Sequence, residues 1–165
     1  MARVYVSVGS NIEPAKNIRS VIAALRQLYP QLILSSVYES EAVGFDGDNF
    51  YNLVVGFDTD LEVMAVVAQL RHLEDTHARD RRGPKFSART IDLDLLLYDD
   101  LIWDSAGLRL PREEICYNAF VLWPLAEVAG ELKHQETRQS YQQMWQAFDK
   151  TTQELWPIPF EWTDA

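Results

Sequence analysis

The chain has 165 residues, of which 47% are hydrophobic and 24% are charged, proportions that are ordinary for a soluble globular protein. This length allows one domain with a hydrophobic core and excludes two of usual size, so we expect residues 1–165 to form a single domain. The formal net charge of −10 argues against affinity for nucleic acid or an anionic membrane.

The N-terminus and the cysteine content indicate the compartment. The first residues, MARVYVSVGSN, alternate apolar and polar side chains and show no basic region followed by an apolar run. We therefore expect no signal peptide. The single cysteine, Cys116, excludes an intramolecular disulfide and a cysteine-rich zinc site. A cytoplasmic location in a reducing compartment is the expectation.

The first fifty residues predict two strands separated by a helix, followed by a loop. Apolar and polar residues alternate over Ala2–Val8, which is typical of a strand. Apolar residues at helical spacing predict a helix over Ala15–Tyr29, which Pro30 ends. A second strand is expected at about Leu32–Glu39, and the Gly-, Asp- and Asn-rich residues that follow predict a loop.

The next segment predicts a strand, a helix, a basic loop and another strand. β-Branched and aromatic residues favour a strand over Phe50–Asp58, and helical spacing favours a helix over Leu61–His77. Five basic residues and one acidic residue lie between Arg79 and Arg89, and a strand is expected at Arg89–Tyr98. A cationic loop on an acidic protein suggests a small, highly charged anion as ligand. A solvated run of charges without a ligand is the alternative.

This β-α-β-β-α-β order predicts a ferredoxin-like α+β fold, an antiparallel sheet with two helices on one face. We expect the other face to be free and to hold the functional site, or to hold it at its rim. Beyond Tyr98 we expect a hairpin around Leu101–Leu110 and helices near Asn118–Val128 and Gln139–Phe148. The tail, QELWPIPFEWTDA, receives no predicted place.

Two aspartates, Asp92 and Asp94, interrupt the apolar run of the strand in KFSARTIDLDLLLY. Side chains two residues apart in a strand share a face, so the two carboxylates are expected side by side. Their repulsion calls for a cation between them, either the basic side chains upstream or a divalent metal such as Mg²⁺. Solvation on an exposed sheet face is the alternative. The opposite face, beneath the helices, is expected to carry Ile91, Leu93, Leu95 and Leu97.

The basic loop, which contains Gly83 and Pro84, leads directly into this strand. Cations for phosphate oxygens and carboxylates for a metal are the two halves of a nucleoside triphosphate site. Their neighbourhood in the sequence therefore favours a function over simple solvation.

Several motifs together resemble those of one enzyme family. The stretch Arg89–Leu96, RTIDLDLL, resembles the R-x-x-D-[apolar]-D-[apolar]-[apolar] signature of the 6-hydroxymethyl-7,8-dihydropterin pyrophosphokinases. The family also has counterparts of Gly9–Asn11, of Asn52 and of FVLWPLAEVA at Phe120–Ala129, and the match from Glu74 through Leu97 has no gap. The resemblance spans nearly the whole chain up to the C-terminal tail.

The resemblance implies transfer of the terminal pyrophosphoryl unit of ATP to the hydroxymethyl oxygen of the pterin, with release of AMP, in folate biosynthesis. It implies that Asp92 and Asp94 hold two Mg²⁺ ions, which fits two-metal catalysis of an in-line displacement. It also implies that Arg79 and Arg89 are catalytic and stabilise charge on the transferred phosphates. The loop of about Arg79–Ala88 would close over ATP and exclude water. The ATP-binding residues that it implies are Glu74, Arg81, Lys85 and Arg112.

The resemblance places the pterin between two aromatic rings, with Phe120 on one side and Phe50 or Phe86 on the other. The amide of Asn52 and backbone groups near Val43 would bind the hydrogen-bonding edge of the pterin. Packing within the sheet or loop is the alternative for Phe50 and Phe86.

The chain departs from the family pattern at five positions. Ser87 and Ala88 stand where Gly-Pro is usual, and Phe86 stands where tryptophan is common. Arg112, in LPREE, replaces a histidine that contacts ATP phosphates, and Asn118 replaces an arginine. An arginine holds phosphate with a permanent charge. The alternative function is a divergent paralogue that binds nucleotide or pterin with little or altered transfer.

A third hypothesis is a ferredoxin-like module that binds RNA or protein, but the net charge and the paired aspartates count against RNA. The resemblance implies the small molecules ATP and hydroxymethyl dihydropterin as partners, and the net charge argues against nucleic acid and membrane. We expect the chain to act as a monomer.

Overall fold

The computed structural model describes residues 1–41, 49–77 and 91–162. Over these ranges the chain forms eight strands and four α-helices, and a 3-10 turn lies at Glu113–Cys116. The helices are α1 (Pro14–Leu28), α2 (Val63–His77), α3 (Ala119–Ala129) and α4 (Tyr141–Ala147). The strands are β1 (Ala2–Ser10), β2 (Ile33–Leu34), β3 (Val37–Ser40), β4 (Phe50–Thr59), β5 (Asp92–Tyr98), β6 (Trp103–Ser105), β7 (Leu108–Leu110) and β8 (Leu155–Ile158).

The main sheet has the strand order β5-β1-β4-β3-β8, and β2 also pairs with β4. Its two central strands, β1 and β4, run antiparallel from Ala2 opposite Thr59 to Ser10 opposite Tyr51. Strands β6 and β7 form a separate hairpin, as predicted. The predicted βαββαβ order and its antiparallel sheet are confirmed.

The predicted second strand is divided in two. Strand β2 pairs Leu34 with Val55, whereas β3 pairs Tyr38 with Asn52, which is a shift of one residue in register. At the break, the Ser35 hydroxyl accepts the amide hydrogen of Val54 at 2.8 Å, and the Ser35 amide donates to the Val54 carbonyl at 2.9 Å. These two bonds keep the backbone paired across the shift.

Helices α1 and α2 cover one face of the sheet, as the apolar spacing predicts. The β-branched residues of β1 that point to this face are fully buried against the apolar stripes of both helices. The residues that make this core include Val4, Val6, Val8, Ile18, Ile22, Leu25, Val66 and Leu70.

The expectation that the second face is free was wrong for the part that α3 covers. Val121, Leu122 and Leu125 of α3 form a second buried cluster with Tyr5 and Val54 of the sheet. The sequence of α3, AFVLWPLAEVA, is apolar on nearly all sides, so this helix must be buried rather than laid on a surface. The remainder of the face opens into a cavity.

The predicted position of Leu97 was also wrong. The pairing of β1 with β5 shifts between Tyr5 and Val6, so that Tyr5 faces Leu97 while Val6 faces Leu95. Leu96 is the extra residue of this irregularity, and both Leu96 and Leu97 join the second cluster beneath α3. The alternation of side chains between the two faces of the sheet ends at Leu96. Leu93 and Leu95, before it, lie in the core beneath α1 and α2, as predicted.

The C-terminal tail forms the edge strand β8, which pairs antiparallel with β3. Pro157 is compatible with this strand because an edge position does not require every amide hydrogen. Beyond the strand, Arg19 Nε donates to the Glu161 carbonyl at 2.6 Å, and its guanidinium lies 5.1 Å from the centre of the Phe160 ring. In the parts of the chain that the structure describes, no helix is long and apolar enough to cross a membrane.

Candidate active site

A cavity of about 690 Å³ opens on the second face of the sheet, next to the start of α3. This volume lies within the range of roughly 300–1,000 Å³ that is usual for small-molecule sites. Strands β1, β3, β4, β5 and β8, the start of α3 and the segment before it contribute residues to it. Its lining residues include Gly9, Ser40, Asn52, Asp92, Asp94, Arg112, Glu114, Phe120, Gln153 and Leu155.

Asp92 and Asp94 both line this cavity, on the edge strand β5. Asp92 pairs with Gly9 and Asp94 pairs with Ser7 of the neighbouring strand β1. The side chain of Asp94 is 40% exposed, so it is accessible to a ligand without lying in bulk solvent. The prediction that the two carboxylates share one face, opposite Leu93 and Leu95, is confirmed.

Glu74 supports this strand from the other side. It lies on α2 and is not among the cavity-lining residues, and its Oε2 accepts the Leu93 amide hydrogen at 2.9 Å. Its Oε1 pairs with Arg71 at 3.2 Å. β5 lies at the edge of the sheet that the structure describes, and this carboxylate accepts an amide hydrogen of that strand at the residue between the two aspartates. Its role in ATP binding stays a prediction.

Arg112 stands between two carboxylates of the cavity. Its Nη2 lies 3.5 Å from Asp94 Oδ1, and its Nε contacts Glu114 Oε2. The Arg112 amide donates to the Leu96 carbonyl at 3.1 Å, which attaches this segment to β5. The structure thus brings Arg112 and Asp94 together, although eighteen positions separate them in the sequence.

The part of the cavity lining that the structure describes is strongly acidic. Of the described residues that line it, one carries a positive side chain, Arg112. Five carry carboxylates: Glu41, Asp92, Asp94, Glu114 and Glu154. Such an excess of negative charge favours cations, and two carboxylates with open positions are how Mg²⁺ is usually held together with water and phosphate oxygens. Within residues 1–41, 49–77 and 91–162, no group of three or more His, Cys, Asp or Glu side chains is arranged so that it could hold a metal ion.

Asn52 and Gly9 fit closely against each other. Asn52 lies in β4, is only 7% exposed and faces Gly9 across the pairing with β1. A Cβ atom at position 9 would come 2.6 Å from Asn52 Oδ1, so only glycine leaves the amide in its place. Both residues belong to the motifs that resemble the family, and the structure shows that they lie against each other.

Two of the predicted aromatic residues line the cavity. Phe120, in the first turn of α3, is 36% exposed, which is unusual for a large apolar side chain. Phe50 opens β4 and also contributes to the cavity. The structure therefore brings together Phe50, Asn52 and Phe120 with Asp92, Asp94 and Arg112.

Some predicted residues lie outside the described parts of the chain. These are the pterin-binding candidates Val43 and Phe86, the catalytic candidates Arg79 and Arg89, the ATP-binding candidates Arg81 and Lys85, and the departures Ser87 and Ala88. Asn118, the remaining departure, precedes α3 and lines the cavity.

Sequence reasoning missed the C-terminal contribution to the cavity. Thr152, Gln153, Glu154 and Leu155 all line it, although the composition of the tail gave no signal of this. It also missed Glu114, for which its position two residues after Arg112 was an available signal.

The chain is similar to known proteins over most of its length. Residues 5–130 match the family model described as 7,8-dihydro-6-hydroxymethylpterin-pyrophosphokinase (HPPK). The 2-amino-4-hydroxy-6-hydroxymethyldihydropteridine pyrophosphokinase of Pseudomonas aeruginosa is 37% identical over 139 residues, which are 79% of this chain and 83% of the relative. The protein of the same name from Haemophilus influenzae is 30% identical over 136 residues, 80% of this chain and 84% of the relative.

Solved structures agree at the level of the fold. A crystal structure of Plasmodium falciparum HPPK-DHPS with pteroate superposes with a TM-score of 0.69 at 12% identity. The superposition covers 88% of this chain and 42% of that longer chain. This likeness supports the predicted α+β ferredoxin-like fold. On the evidence of the family model and the relatives, this chain belongs to the 7,8-dihydro-6-hydroxymethylpterin-pyrophosphokinase family.

Proposed function

We propose that this protein transfers the terminal pyrophosphoryl group of ATP to the hydroxymethyl oxygen of 6-hydroxymethyl-7,8-dihydropterin, releasing AMP, as a step of folate biosynthesis. The observation that carries the proposal is the paired aspartates Asp92 and Asp94 in a cavity that also contains Arg112 and an exposed aromatic ring, Phe120. The names of the family's curated relatives favour this transferase over the alternative of a divergent paralogue that binds without transferring.

Asp92 and Asp94 are the residues that would hold Mg²⁺, and the proposal includes two ions. Their carboxylate oxygens are hard ligands, and their partial exposure leaves room for phosphate oxygens beside them. Bound Mg²⁺ would neutralise the charge of the phosphates and of the attacking hydroxyl oxygen. Glu74 contributes by holding the Leu93 amide, which fixes the strand between the two carboxylates.

The basic residues would bind and stabilise the triphosphate. Arg112 already lies among the carboxylates, and its charge is available to phosphate oxygens that approach Asp94. We assign charge stabilisation in transfer to Arg79 and Arg89, and nucleotide binding to Arg81 and Lys85. Closure of the loop that contains them would exclude water, which competes with the pterin hydroxyl for the phosphoryl group.

The pterin would lie against Phe120, with Phe50 or Phe86 on the opposite side of its ring. The Asn52 amide, held in place by its contact with Gly9, would bind the hydrogen-bonding edge together with backbone near Val43. Asn52 is well suited to this role because a buried amide offers both a donor and an acceptor in a fixed geometry. We propose that the protein acts as a single-domain monomer in the cytoplasm.

Incubation of the purified protein with ATP, Mg²⁺ and 6-hydroxymethyl-7,8-dihydropterin tests this function. AMP should accumulate only when the pterin is present, and a reaction without pterin measures the background of ATP hydrolysis. Binding of ATP and pterin without AMP formation would favour the divergent paralogue, and binding of neither would reject both hypotheses.

A further inference from the structure

We propose that Gln153, in the C-terminal segment, is a positioning residue for pterin binding because it fixes the start of α3 and thereby Phe120. This inference rests on the proposed function, since it concerns the pterin side of the same cavity.

The start of α3 is capped by a residue that is distant in the sequence. Asn118, at the N-cap position, makes no capping hydrogen bond with its side chain. Instead, Gln153 Oε1 accepts the Ala119 amide hydrogen at 2.8 Å, and Gln153 Nε2 donates to the Tyr117 carbonyl at 2.8 Å. One amide thus serves both a donor and an acceptor of the backbone at the start of the helix, where the first amide hydrogens have no partner within the helix itself.

The bonded residues directly precede the aromatic ring that would contact the pterin. Ala119 is the first residue of α3 and Phe120 is the second. Gln153 and the residues beside it line the same cavity as Phe120. The C-terminal segment is therefore a second wall of the cavity, and the Gln153 side chain links that wall to the one that carries Phe120.

The C-terminal segment is itself attached to the sheet, so Gln153 can act as a fixed support. Leu155 of β8 pairs with Ser40 of β3, and both residues line the cavity. Further along, Phe160 contacts Tyr51 of β4 with their ring centres 6.4 Å apart. A side chain anchored in this way orders its partner at little further entropic cost, which is the condition for preorganising a binding site.

The family model matches residues 5–130, so position 153 lies outside the matched segment. The role of Gln153 is consequently inferred from the hydrogen bonds and the cavity of this chain.

The replacement Gln153→Met tests the inference because it retains the length of the side chain and removes both hydrogen bonds. We expect the dissociation constant and the KM for the pterin to rise about tenfold, the size that two lost hydrogen bonds of ordinary net strength can produce. The KM for ATP and kcat should stay within about twofold of wild type, because Asp92, Asp94 and Arg112 are untouched. Pterin affinity is measured directly by fluorescence titration with 6-hydroxymethylpterin.

The variant Gln153→Glu is a second test. One carboxylate oxygen still accepts from the Ala119 amide, whereas the other oxygen faces the Tyr117 carbonyl, which repels it, so pterin affinity should again fall below that of wild type. This variant also carries the test if Gln153→Met fails to fold.

Gln143→Met is the matched control. Gln143 Oε1 accepts the Ser140 amide hydrogen at 3.0 Å at the start of α4, a helix that does not line the cavity. Gln143→Met should lower the Tm by about as much as Gln153→Met does, and it should leave pterin affinity unchanged. Unchanged pterin affinity in Gln153→Met, or an equal loss in Gln143→Met, would overturn the inference while the proposed function stands. Wild-type protein that binds no pterin would overturn both.

Discussion

Arg112 Nη2 lies 3.5 Å from Asp94 Oδ1, while Arg112 Nε contacts Glu114, so one guanidinium group joins two carboxylates of the cavity. A cation bound to Asp94 must share that carboxylate with Arg112 or displace the guanidinium toward Glu114. Phosphate oxygens attract the same guanidinium, so nucleotide binding would release Asp94. We expect binding of the metal and of the triphosphate to favour each other for this reason.

The replacement Arg112→Gln should separate the effect of the guanidinium on metal binding from its effect on nucleotide binding. Without nucleotide, affinity for Mn²⁺ should rise several-fold, because a competing positive charge is removed from Asp94, although partial solvent exposure reduces the effect. Affinity for ATP should fall about tenfold because a phosphate partner is lost. Electron paramagnetic resonance of free Mn²⁺ and nucleotide titration measure the two quantities.

Arg109→Gln is the control for that experiment. Arg109 forms a comparable ion pair with Glu136 at 2.9 Å, and neither residue lines the cavity. Arg109→Gln should leave the affinities for Mn²⁺ and for ATP unchanged. A drop in Mn²⁺ affinity in Arg112→Gln would contradict the proposed competition.

Replacement Asp94→Ala should reduce kcat by at least about a hundredfold, as expected when a group that stabilises transition-state charge is lost. The fold should survive because Asp94 is partly exposed and belongs to no buried cluster. AMP formation and thermal unfolding measure the two effects. Asp104→Ala, at an exposed position of β6, should match wild type in both. Near-normal turnover in Asp94→Ala would reject the metal assignment.

Replacement Gly9→Ala should weaken pterin binding through Asn52. The added Cβ would lie 2.6 Å from Asn52 Oδ1 and would force the amide out of its place. Asn52→Ala should weaken pterin binding to a similar degree, and the double variant should be no worse than either single one. Fluorescence titration of all three proteins gives the coupling. Strictly additive losses would show that Gly9 acts independently of Asn52.

The pH dependence of stability should show the effect of protonating His134. Burial lowers the pKa of His134, whose Nδ1 accepts amide hydrogens from Glu136 and Thr137 at 3.1 and 3.2 Å. Because the folded-state pKa lies below the unfolded value, neutral His134 contributes to the free energy of unfolding at neutral pH. That contribution is lost as the pH falls below about 6.5. The Tm of wild type should therefore fall more steeply between pH 7 and pH 5.5 than that of His134→Gln. His72→Gln, at an exposed position of α2, should retain the wild-type slope. Equal slopes in wild type and His134→Gln would contradict the role of His134.

The sequence predicted those features that depend on local periodicity. The two-residue period of a strand placed Asp92 and Asp94 on one face, and the apolar stripe of α1 predicted its buried side. It did not predict the position of Leu97, because the irregularity near Leu96 depends on pairing with β1.

The features that remained hidden arise from contacts between distant residues. Gln153 bonds backbone groups 34 and 36 positions away, and β8 is a strand only because β3 offers it an edge. Neither residue spacing nor composition encodes such partners. The same holds for Arg112 and Asp94, which form an ion pair across eighteen positions where the Arg112 amide also bonds the Leu96 carbonyl.

The identity of the nucleotide product distinguishes pyrophosphoryl transfer from transfer of a single phosphate and from hydrolysis of ATP. Wild-type protein is incubated with ATP, Mg²⁺ and 6-hydroxymethyl-7,8-dihydropterin, and phosphorus NMR follows the phosphate groups over time. We expect one AMP for each pterin that is consumed, with both phosphates of the transferred unit attached to the pterin. With Asp94→Ala we expect neither AMP nor pyrophosphorylated pterin to form at a comparable rate. Formation of ADP, or of AMP at a rate that does not depend on the pterin, would contradict the proposed transfer.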